Sequence, residues 1–206
     1  RINMGDDADS DAELTLRFTD TSLDPYVRLF EPRLSPFTTA IASGTIKVAG
    51  PLTDTARLRV EGKVEDVELR LFDYRLRNDG PIALGLHDNT ARVERLRLVG
   101  DGTTLELFGD VGIAQDRVRI RALGDANLSI LQGFMRDIRS SGAAEIQAEI
   151  AGSMKAPVLV GSATLTNGRL RYFALPHSIE AVNGRVEFDA GGVRLDGLSG
   201  RMGGGE

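Results

Sequence analysis

Bond-making catalysis needs a nucleophile, a base and a group to orient them, and this chain offers few side chains for that work. It has two histidines and no cysteine, so it has no thiolate nucleophile, thiolate metal site or disulfide. His87 stands in Gly85-Leu86-His87-Asp88-Asn89 and His177 in Leu175-Pro176-His177-Ser178. Both are turn-like contexts that suit a solvated imidazole. Asp7 to Glu13 opens like a calcium loop, but Ala12 stands where the sharp-turn Gly belongs and Phe18 where the closing acid belongs. A solvated acidic lead-in is expected there. Carboxylates elsewhere alternate with Arg, the pattern of cross-strand ion pairs on a wet surface. No GxxxxGK phosphate loop occurs, and Asn127-Leu128-Ser129 is a glycosylation sequon of a kind frequent by chance. The expectation is a protein that is not an enzyme, with no cofactor and no metal.

The elements that must carry these residues read as strands. Gly is abundant at 24 residues and Trp is absent, while aromatic residues make up 5% of the chain, too few for an aromatic-centred core. Charged residues make up 27%, with a net charge of -5 and both signs interspersed, so nucleic acid is not an expected partner. No apolar run is long enough to span a bilayer. The chain begins without Met and runs out in Gly203-Gly204-Gly205-Glu206, and it reads as a fragment of a longer protein. Period-2 alternation recurs in Ala56 to Glu61, Val67 to Leu71, Leu105 to Leu107, Arg117 to Arg121, Ile146 to Ile150, Leu170 to Tyr172 and Val186 to Phe188. Val93 to Leu98 fits too if an irregularity falls near Glu94 and Arg95. Roughly a dozen strands follow.

Two stretches break the rhythm. Asp24 followed by Pro25 predicts a short helix from Pro25 to about Leu34. The apolar spacing at 128, 131, 134, 135 and 138 predicts a second helix, with Asn127 as its cap. Each helix precedes a Ser-Gly turn, a strand ending in Gly and a loop with Pro: Ser43-Gly44, Gly50 and Pro51 in one copy, Ser141-Gly142, Gly152 and Pro157 in the other. An internal repeat of about one hundred residues is therefore expected. Residues 1-22 form the acidic lead-in and first strand, 23-122 the first repeat, and 123-206 a second, truncated repeat.

An amphipathic strand usually packs its dry face on a second sheet, as in a sandwich or barrel. Here large aromatic plugs are scarce and two short helices are too few to cover a dozen strands. A dozen strands at about 4.8 Å would extend roughly 60 Å. Folded lengthwise into a U, that antiparallel sheet would enclose an apolar groove suited to acyl chains, whose burial gains about 0.8 kcal/mol per methylene. The apolar side chains expected to line that groove are Leu58, Val60, Leu69, Leu71, Leu96, Leu98, Leu105, Leu107, Val118, Ile120, Leu170, Val186, Phe188 and Leu195.

The most specific stretch runs from Gly161 through Asn167-Gly168-Arg169-Leu170-Arg171-Tyr172, then Leu175-Pro176-His177-Ser178-Ile179, Val182-Asn183-Gly184-Arg185-Val186-Glu187-Phe188-Asp189 and Val193 to Gly205. In order and spacing it closely resembles a repeat of the TamB branch of the AsmA-like family. The likeness extends more weakly over Leu23 to Val111, where Tyr74 to Asn78 and Gly80-Pro81-Ile82 replace the Leu-Pro and Asn-Gly elements. The resemblance implies a β-taco groove in the periplasm of a diderm bacterium, anchored in the inner membrane by a segment outside this sequence. It implies phospholipid transfer between the two membranes, the acyl chains being the ligand. The other function attached to the family is outer-membrane protein assembly by strand templating beside a TamA-type barrel partner; a structural spacer would use the same fold.

Overall fold

A computed structural model describes residues 11–25, 37–51 and 57–203. They form one antiparallel sheet of twelve strands: β1 (Asp11–Ser22), β2 (Thr38–Pro51), β3 (Arg59–Leu71), β4 (Tyr74–Asn78), β5 (Ile82–His87), β6 (Thr90–Gly100), β7 (Thr103–Gly112), β8 (Arg117–Asn127), β9 (Ile138–Ser153), β10 (Ala156–Tyr172), β11 (Ile179–Asp189) and β12 (Gly192–Met202). The order is a meander. β4 and β5 lie end to end, β4 pairing with Glu68 to Leu71 and β5 with Val60 to Val64 of the same strand. Ala56 lies outside the described residues, but the stretches ending in Glu61 and Leu71 belong to one strand, β3. β8 crosses positions 122 and 123 and pairs with both β7 and β9, so the hydrogen-bonded sheet is continuous where the two repeats were expected to meet.

Alternation becomes two unlike faces because directly opposed residues share a side. One rung of opposed residues runs Leu16, Ile46, Gly62, Leu84, Val93, Gly109, Ile120, Ile150, Leu159 across nine strands without a polar side chain. A second runs Leu98, Leu105, Gly124, Ile146, Ala163, Val186, Leu195 to the last strand. The other face carries Lys47, Glu61, Gly85, Arg92, Asp110 and Arg119 in one rung. Its ion pairs include Arg117 with Asp110 at 2.9 Å and Arg121 with Glu149 at 2.7 Å. Their arginines are exposed and their carboxylates half-buried, and each pair contributes little to stability.

Bulges interrupt the ladders at the middle of the strands. In the first half they fall between Phe18 and Thr21, opposite Ser43 and Gly44, and between Val93 and Leu96, the last being the irregularity expected near Glu94 and Arg95. In the second half they fall between Thr166 and Arg169 and again along β11. The β7–β8 and β8–β9 ladders between them have no shift. An asparagine of the following strand satisfies two of these bulges, those in β3 and β10. Asn78 Oδ1 accepts from Val67 N–H at 2.7 Å while its Nδ2 donates to the Glu65 and Gly80 carbonyls. Asn183 Oδ1 accepts from Asn167 N–H at 2.8 Å while its Nδ2 donates to the Ala181 carbonyl. A bulge bends its strand, and a side-chain amide of this kind holds the bend in place.

The helix expected over Pro25 to Leu34 lies outside the described residues beyond Pro25, and Asp24 Oδ1 accepts from Ala40 N–H at 2.6 Å. The second is shorter than its spacing predicts. It is a 3-10 helix, Leu128–Gly133, capped by Asn127, whose side chain accepts from Ser129 N–H at 2.9 Å. Ile138 belongs instead to β9. Among the described residues no helix is long and apolar enough to cross a membrane.

Candidate apolar ligand site

Two cavities open on the apolar face. The first, about 440 Å³, draws Ile46, Val60, Leu84, Leu86, Val93, Leu96, Leu107, Val111 and Ile120 from six strands, β2, β3 and β5 to β8. The second, about 510 Å³, is bounded by β8 to β12 and by Leu128, Ile130 and Leu131 of the 3-10 helix; among its lining residues Arg169 alone is charged, and the others are apolar. Between the two, Ala122 of β8 stands opposite Leu107, which lines the first cavity, and Ala148, which lines the second.

Strand glycines let neighbouring strands approach closely beside the cavities. Gly124 and Gly161 stand at φ +125° and +144°, and a Cβ on either would come within 2.2 Å of the facing carbonyl oxygen, of Thr104 and Gln147 respectively. No other residue fits there without moving a strand.

The fourteen expected lipid contacts divide by depth. Val60, Leu96, Leu107 and Ile120 line the first cavity, and Leu170, Val186 and Phe188 the second. Leu71, Leu98, Leu105 and Val118 are buried. Leu71, 1% exposed, packs with Tyr74 and Leu76, and Leu69 lies against that cluster. Leu195 lies opposite Val186 but is 58% exposed. Leu58 precedes β3 in a mixed surface depression with Arg57, His87 and Asp88, apart from both cavities. Sequence reasoning passed over Leu84 and Leu86, although Ile82-Ala83-Leu84-Gly85-Leu86 alternates as cleanly as any stretch chosen. It also missed Leu128, Ile130 and Leu131, whose helical spacing gave no sign that they face the sheet.

The chain matches no family model, no curated protein and no solved structure.

The chemistry around the cavities is that of packing. Among the described residues no cluster of three His, Asp or Glu side chains is placed to hold a metal. His87 is exposed at the two-residue turn Asp88-Asn89 and pairs with Asp88 at 2.8 Å; His177 is also exposed. One resolved ionisation shift is that of Tyr74, whose hydroxyl donates to the Asp101 carbonyl at 2.8 Å and bonds Thr103. Burial holds its pKa above the ordinary phenol value; the Thr103 hydrogen bond works against that, and the Asp101 charge adds to it.

Proposed function

We propose that this chain is a segment of a lipid-transfer protein whose sheet curls lengthwise into a groove that shields phospholipid acyl chains between two membranes. The observation that carries the reading is the unbroken apolar rung from Leu16 to Leu159, which passes through the first cavity and reaches the wall of the second. An acyl chain needs no directional partner, only apolar wall, and gains about 0.8 kcal/mol per buried methylene.

The curl is supported by one long-range contact. Thr38 Oγ1 on β2 donates to the Gly133 carbonyl at the end of the 3-10 helix at 3.0 Å. β2 and β8 are five strand spacings apart, about 24 Å on a flat sheet. The six residues of helix leaving β8 rise only about 12 Å. A bend of the sheet toward its apolar face accounts for their meeting. The resemblance to the TamB branch agrees with this reading and supplies its compartment, the periplasm.

Native mass spectrometry with lipid extraction tests it: phospholipid should accompany the protein and be lost on Leu107→Glu, which puts a charge on the first cavity wall. Lipid-free protein that also fails to bind a fluorescent fatty acid would overturn the reading. A second reading, strand templating in outer-membrane protein assembly with a TamA-type partner, is the other function that the TamB-like resemblance implies. Normal barrel assembly with lost lipid transfer in Leu107→Glu favours the groove, and the converse favours templating.

A further inference from the structure

The 3-10 helix is bound unequally to the two sides of the sheet. Toward β9 it is tied three times at a single residue: Ser129 Oγ donates to the Ser140 carbonyl at 2.9 Å, Gln132 Nε2 to the same carbonyl at 3.2 Å, and Ser140 Oγ to the Leu128 carbonyl at 2.7 Å. Toward β2, β3 and β4 it is held by the Thr38 hydrogen bond to Gly133 and by Ile130 against Leu71, Tyr74 and Leu76. Gly133 presses so closely on Leu71 that a Cβ there would lie 2.6 Å from Leu71 Cδ2. The docked position also leaves Gln132 Oε1 buried with no hydrogen-bond donor among the described residues, an unfavourable setting for a polar atom.

From this asymmetry we infer that the 3-10 helix is a strap, fixed to β9 and reversibly fastened to β2, β3 and β4, whose docking sets the width of the apolar face and whose release widens it. Fastened, it walls the second cavity with Leu128, Ile130 and Leu131 and covers the Leu71 cluster. Released, it frees Gln132 from burial and leaves Arg139 over the Phe72 ring as the remaining tie between the flanks. The width device stands on these contacts alone; its use in admitting bulkier acyl cargo rests on the groove reading above.

The absence of cysteine makes the test clean. Spin labels on cysteines introduced at the exposed turn positions Asp73 and Ala174 report the separation of the flanks in the whole chain. The otherwise unaltered protein should give one narrow distance distribution. Ile130→Ser, and independently the near-isosteric Thr38→Val, should broaden it and lengthen its mean by about one strand spacing, ~5 Å. Thr38→Val keeps the test open if Ile130→Ser does not fold. A distribution unchanged in the folded variants would overturn the strap and show that the sheet sets its own width. Fatty-acid binding measured on the same samples separates the two ideas: widening without binding leaves the strap and removes the groove reading, and binding without widening does the reverse.

Discussion

In β2 to β6, Ala42, Val64 and Ile82 close on one another at 2%, 8% and 5% exposure, with Phe18, Val67, Val93 and Leu96 packed around them. In β9 to β12, the same side of the sheet presents Ala144, Ala148, Ala163 and Gly168 around a cavity of about 510 Å³. The period-2 pattern is common to both regions, and so is the asparagine that satisfies a bulge. What differs is side-chain size at opposed positions. In the first region Val64 and Ile82 close over Ala42 at one end of the strands, with the cavity of about 440 Å³ beside them, whereas Ala144, Ala148, Ala163 and Gly168 leave space among the larger side chains of the second. Alternation decides which face is dry, and side-chain size sets where along that face the packing closes and where it opens.

Substitutions separate the filled region from the hollow one. Leu71→Ala should have the largest effect, a loss of about 2–5 kcal/mol in urea denaturation, because Leu71 is 1% exposed beneath the 3-10 helix. A comparable loss from Leu165→Ala, on the wall of the second cavity, would show that the hollow region is packed after all. Ala42→Val should cost about 1–3 kcal/mol by overpacking. Ala163→Val, facing the second cavity, should instead leave stability level or raise it by up to about 1 kcal/mol. The two asparagines sharpen the contrast. Asn78→Ala removes three hydrogen bonds, one to the half-buried Val67 amide, and should cost about 1–3 kcal/mol, whereas exposed Asn183→Ala should cost under about 1 kcal/mol. The smallest effect is alkaline. Tyr74 keeps its proton more tightly when folded, so its contribution is whole below pH 10.0, the ordinary phenol value, and falls as pH rises through the folded pKa. Tyr74→Phe should remove that part of the alkaline loss in denaturation curves recorded on either side of pH 10.0.

Much of the sheet was legible because alternation and turn chemistry are local. The strand count, the antiparallel pairing, the bulge near Glu94 and Arg95 and the Asn127 cap all rest on residues within a few positions of one another. The extent of the helix after Asn127 was misread because Phe134 and Met135 continue a helical spacing while Ile138 is already claimed by the β9 ladder. The candidate site was legible as a face and not as a surface. Leu71 and Leu107 share that face and look alike in sequence, and only distant packing on Ile130 makes one core and the other cavity wall. Nothing local foretells that Phe72 takes a left-handed φ of +64° in the β3–β4 turn, where Arg139 lies 3.9 Å above its ring. Such a backbone is costly for a bulky residue and persists only where its surroundings hold it.

The meander has a bearing on how the protein forms. Each strand finds its ladder partners among strands nearby in the chain, so loop-closure entropy stays small and the sheet can grow progressively as the chain lengthens. The hydrogen bond from Thr38 to Gly133 spans 95 positions and cannot close until β8 is in place. Assembly then has two stages, a zippering of neighbours followed by a late closure of the 3-10 helix and Arg139 on β2 to β4. A lesion at that contact should speed unfolding while leaving the early zippering rate almost untouched.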